Sequence, residues 1–82
     1  MEKLLMKIYV PSINKRYELF VPKMLQLCEL IPFINTVVER QSEGQFQSTG
    51  KEILCTEEGM ILNINLTVQE LSIRNGTTLL LI

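Results

Sequence analysis

A chain that performs covalent chemistry needs a nucleophile, a base and a group to orient them, and here the supply is short. The sequence has no histidine, and every acidic side chain is a glutamate. A Ser-His-Asp or Cys-His arrangement therefore cannot be assembled, and paired carboxylates for acid–base work would have to be two glutamates. Glu57 and Glu58 are adjacent in a turn pattern and Glu43 lies in a polar stretch; carboxylates so placed ordinarily face water. Gly44, Gly50, Gly59 and Gly76 stand singly, so no glycine-rich loop can wrap a phosphate. Cys28 and Cys55 have no CxxC spacing and no histidine beside them, which disfavours a metal site or a redox motif. They could pair in principle, but in a reducing compartment both are expected to act as small apolar packing groups, Cys28 at the border of a helix face. The chain is expected to be no enzyme, with no cofactor and no metal.

Composition narrows the field further. Eighty-two residues make one domain, 1–82, and a domain of this size buries only about 60 to 65% of its unfolded surface, leaving little room for a deep cleft. Eight Lys and Arg stand against nine acidic residues, a net charge of −1, and no block of one sign marks a nucleic-acid or membrane surface. The opening MEKLLMKIYV is too short, and too interrupted by lysine, for a signal or transmembrane segment. A soluble, cytoplasmic protein is expected, with no membrane insertion and no nucleic acid.

The elements that would position any site follow from periodicity. Residues 23–41, KMLQLCELIPFINTVVERQ, carry the one long helical pattern, opening near Gln26. Leu27, Leu30, Ile31, Ile34, Val37 and Val38 fall within an arc of roughly 120° at 100° per residue, so one side of this helix must lie on a sheet. Pro32 lies outside that arc; it predicts a bend convex toward solvent, the competing reading being a fresh helix starting at Pro32. Residues 4–10 and 16–21 alternate and are joined by turn chemistry, which predicts a hairpin ended by Pro22. Residues 42–50, SEGQFQSTG, are polar and aperiodic and read as a flexible loop. Strand patterns return at 52–56 and 60–62 around a turn at 57–59. Thr67 and Glu70 have the spacing of a capping box, Asn75-Gly76 is a turn signal, and residues 77–82 form a last strand too apolar to sit at an edge.

This ββαββ-turn-β order is that of an α+β, β-grasp (ubiquitin-like) fold: a mixed sheet of order 2-1-5-3-4 with one helix on one face. A more specific resemblance lies in YELFVPKMLQLCELIPFINTVVE, where a hairpin strand runs through Val21-Pro22 into a helix, and in the ending LTVQELSIRNGTTLLLI. Both are similar to the EsaB/YukD family of small ubiquitin-like proteins of bacterial type VII (WXG100) secretion systems. Gln26 departs from that pattern, occupying the place of an expected helix-opening proline. The resemblance implies a non-catalytic accessory or regulatory component of such a system, acting by protein–protein contact. Conjugating modifiers need a flexible Gly-Gly tail; the sequence given stops inside a strand at Leu81-Ile82, so conjugation is not expected. The alternative is a β-grasp protein of another pathway, a sulfur-carrier-like protein or other adaptor.

Alternation also singles out a surface. With Met6, Ile8, Val10, Tyr17, Leu19, Val21, Ile53, Cys55, Leu79 and Leu81 turned to the helix, Leu5, Tyr9, Phe20, Leu54 and Leu80 fall on the outer face of the sheet. A face open to water should read polar, and these positions predict one apolar stripe for a protein partner, which the resemblance implies is a cytosolic part of the secretion machinery. Occupation by a second copy as a homodimer, or scattered apolar side chains with no role, are the other readings. Phe33, flanking the helical arc, is expected to cover the helix end.

Overall fold

A computed structural model of the chain describes residues 2–82. Strand β1 (Lys3–Val10) and strand β2 (Lys15–Pro22) form an antiparallel hairpin in which Leu5 faces Phe20, Lys7 faces Glu18 and Tyr9 faces Arg16. A 3₁₀ turn over Pro11–Ile13 joins them and closes at Asn14, whose left-handed backbone (φ 52°) a short side-chain amide tolerates. Helix α1 (Leu27–Gln41) follows, then β3 (Leu54–Thr56) and β4 (Thr77–Leu81). The sheet order is β2-β1-β4-β3, with β4 parallel to β1 and antiparallel to β3. The last strand is thus central, as its apolar run requires. The strand expected at 60–62 shrinks to one bridge between Ile61 and Cys55, so the ubiquitin-like β-grasp sheet has four full strands and a vestige of a fifth.

Helix α1 runs unbroken through Pro32, which lies on its exposed side, so the reading with a fresh helix at that residue is ruled out. The proline ring removes the N–H that the Cys28 carbonyl would have accepted, a loss tolerated where water can take its place. The helix start is held from outside. The free N–H groups of Leu27 and Cys28 donate to the carbonyls of Leu66 (3.0 Å) and Ile64 (2.9 Å), so a distant loop satisfies donors that a side-chain cap ordinarily would. Gln26 adds its own amide, Nε2 donating to the Asn65 carbonyl at 3.1 Å; a proline at that position would forfeit this contact. The supporting loop is in turn fixed by the capping box expected from the sequence. The Thr67 N–H donates to Glu70 Oε1 at 2.9 Å and the Glu70 N–H to Thr67 Oγ1 at 3.1 Å.

The core lies between α1 and one face of the sheet. Leu4, Met6, Ile8 and Val10 of β1, Leu19 and Val21 of β2, and Leu79 and Leu81 of β4 meet Leu27, Leu30, Ile34 and Val38 of the helix. Leu54 joins this core, only 1% exposed, which corrects its expected place on the outer face. The run Ile53-Leu54-Cys55 is apolar at both parities, so alternation within it cannot decide which residue faces in. Pairing decides: Leu54 stands opposite Leu81 and Cys55 opposite Leu80, and directly opposed residues share a face. Ile53 is consequently exposed and Cys55 is carried to the other side of the sheet.

Segment 42–50 is also not the loose loop its composition predicts. The N–H of Phe46 donates to Ser42 Oγ at 3.1 Å, and the Phe46 ring sinks into the core at 8% exposure. The remainder closes around Glu52. Its carboxylate accepts from the N–H and hydroxyl of Thr49 (2.7 and 2.8 Å), the Ser48 hydroxyl (2.8 Å), the Gly50 N–H (3.1 Å) and Asn35 Nδ2 (3.0 Å), tying the loop to the helix.

Candidate protein-docking face

The outer face of the sheet is built from residues that alternation along β1, β2 and β4 turns away from the helix, and cross-strand register arranges them in rows. Phe20 and Leu5 make one row. Glu18, Lys7 and Thr78 make the next, and Arg16, Tyr9, Leu80 and Cys55 the third, which the bridge to Ile61 prolongs. Apolar side chains therefore occupy the two end rows, about 13 Å apart at four residues of strand rise, with a polar row between them. The continuous stripe expected from the sequence is divided. Each strand alone reads as alternating apolar positions, and only the register shows that Lys7, Glu18 and Thr78 fall side by side.

Of the five residues expected on this face, four are there. Phe20 is the most open, at 66% exposure, whereas Leu5, Tyr9 and Leu80 are half-buried among neighbours. Leu54 is absent from the face and Cys55 stands in its position, buried beside Leu80. Ile61, 69% exposed, extends the third row. Sequence reasoning missed it because residues 60–62 read only as a short strand, with no face assigned to its side chains; the signal was the brevity of the run after Gly59.

The third row is braced by side-chain contacts. The Tyr9 hydroxyl donates to Asn14 Oδ1 at 2.8 Å, and the Arg16 guanidinium lies 4.6 Å from the ring centroid, a cation–π contact that holds the arginine flat against the face. The first row is rimmed by cations: Phe20 borders a shallow depression shared with Lys3, Lys23, Ile73 and Arg74. The Lys23 ammonium is engaged there by Glu2, with Nζ donating to Oε2 at 2.9 Å.

The largest electrostatic perturbation is remote from this face. Burial pushes the Glu52 carboxyl up, but donation from the Thr49 backbone N–H, the Thr49 hydroxyl and the Ser48 hydroxyl outweighs it and holds the group at about 2, against an ordinary 4.5. That pattern stabilises a loop and leaves no poised acid or base. Cys28 is exposed on the helix and is not the packing residue expected, since it sits before Pro32 on the solvent side. Phe33 likewise leaves about half its surface open, at 49% exposure, and does not cover the helix end. Among the described residues, no group of three or more Cys or Glu side chains could hold a metal, and no helix is long and apolar enough to cross a membrane.

Compared with known proteins, the chain matches no family model and no curated protein. Solved structures do match. The ubiquitin-like domain of the Mycobacterium tuberculosis type VII secretion system protein EccD1 superposes with a TM-score of 0.80 at 15% identity, covering 100% of this chain and 99% of that one. The EccD5 ubiquitin-like domain from Mycobacterium xenopi gives 0.77 at 17% identity, covering 100% and 94%. A chain in protomer 1 of the ESX-3 core complex gives 0.76 at 16% identity, over 99% of this chain and 16% of its own length. The fold is thus ubiquitin-like, and its structural neighbours include components of type VII secretion machines.

Proposed function

We propose that this chain is a non-catalytic ubiquitin-like accessory or regulatory component of a bacterial type VII secretion system, of the EsaB/YukD kind. It acts by docking the outer face of its sheet on a cytosolic part of the machinery. The observation that carries the docking role is the pair of apolar rows on that face, above all Phe20, a large aromatic side chain left mostly in water on a strand whose other face is sealed against the helix. The secretion context is supported by the hairpin-to-helix and C-terminal motifs and by the full-length match to the EccD1 domain.

The test is substitution on the face in the bacterium that encodes the protein. Phe20→Glu combined with Ile61→Glu places charge in both apolar rows at exposed positions that bear no core load. Secretion of the system's small helical substrates and co-purification of its membrane ATPase should both be lost, while the circular dichroism spectrum is unchanged. Normal secretion by a strain carrying the doubly substituted protein would defeat the proposal.

A further inference from the structure

The two faces of the sheet account for its side chains, but they leave one row of backbone groups unused. Leu5 accepts from the Gly76 N–H at 2.8 Å and donates its own N–H to Asn75 Oδ1 at 2.6 Å, so its backbone points toward β4 and away from β2. In an antiparallel pair, opposed residues that do not bond each other point their groups in opposite directions. Phe20, opposite Leu5, therefore points its N–H and C=O off the free edge of β2, and by the period of two so do Glu18 and Arg16. Among the described residues, none of these groups has a partner outside the sheet. Pro22, in the same phase, has no N–H to offer.

We propose that this edge pairs antiparallel with the same edge of a second copy of the chain, about a two-fold axis at Tyr17. Charge selects both the occupant and the register. An axis at Arg16 or at Glu18 would set like charges directly opposite each other, which is destabilising. An axis at Leu19 or Phe20 would spend a bonding position on Pro22. An axis at Tyr17 puts Arg16 of each copy opposite Glu18 of the other, and each such pair exchanges both backbone N–H···O bonds. Glu18 then lies between Lys7 of its own sheet and Arg16 of the second copy. The product is one sheet of eight strands whose outer faces are continuous, presenting two Phe20 side chains on the same side. This pairing uses the edge and not the face, so it stands apart from the docking role proposed above.

The experiment uses the purified chain alone. In sedimentation, the wild type should associate to a dimer with increasing concentration. Hydrogen exchange at the amides of Arg16 and Glu18 should slow in step. Arg16→Glu and Glu18→Arg should each weaken association roughly tenfold or more, since every dimer carries the altered contact twice. Mixing the two variants should restore it, because every pair in the mixed dimer is again Glu against Arg. A wild type that remains monomeric, a dimer indifferent to either substitution, or variants that fail to recover on mixing would each overturn the proposal.

Discussion

The two edges of the sheet have opposite fates. At β3 the strand is three residues long, and the chain folds back on it: the Thr56 N–H donates to the Met60 carbonyl at 2.9 Å and the Leu62 N–H to the Leu54 carbonyl at 3.3 Å. The vestigial fifth strand is a cover, and the edge is closed from within. At β2 the strand is eight residues long, and its outward backbone groups end in water, interrupted only by Pro22. Edge strands are ordinarily shortened, covered or charged to prevent pairing. β3 is both short and covered, whereas β2 carries charges of both signs, which forbid some registers and permit one. Closed edges stabilise a fold and open ones select a partner.

Substitutions can break or sharpen this contrast. The largest effect is expected at the closed edge, where Leu54→Ala should cost about 2–5 kcal/mol in urea denaturation, because Leu54 is sealed against Leu81 and the helix. Next is the clamp on loop 42–53. Glu52→Gln should cost about 1–2 kcal/mol at neutral pH, a figure discounted because the carboxylate is partly open to water. The sign follows from the depressed folded value. Wild-type stability should be fully present above the ordinary 4.5 and fall as the pH drops toward about 2, a decline that the Gln variant should lack and that acid titration of the midpoint can follow. Thr67→Ala, which opens the capping box supporting the helix start, should cost about 1 kcal/mol by thermal melting. The smallest effect is expected at the open edge: Phe20→Glu should shift stability by no more than about 0.5 kcal/mol, even as it removes docking. A large loss there would mean that Phe20 packs and does not wait for a partner.

Much of this was legible in the chain. The six apolar positions of the helix predicted its buried side, and five-letter patterns such as Met6-Lys7-Ile8-Tyr9-Val10 assigned the faces of β1, because polar and apolar residues alternate there cleanly. Thr67 and Glu70 announced their mutual hydrogen bonds by spacing alone. Legibility failed where local pattern was degenerate. Ile53-Leu54-Cys55 could face either way, so one of the five expected surface residues proved to be core. Polar composition at 42–50 concealed Phe46, held by a bond to Ser42 at the helix's end, and the carboxylate cage of Glu52, whose partner Asn35 belongs to the helix and not to the loop.

The sequence by itself determined the elements save the strand expected at 60–62, their order and the inward face of each strand that alternates, because steric period and burial act along the chain. Tertiary structure decided what depends on two segments at once. It set which parity of β3 meets β4, how the apolar stripe divides into rows, and which sheet edge stays open. Those outcomes rest on register and on hydrogen bonds between residues distant in the chain, and no local stretch carries that information.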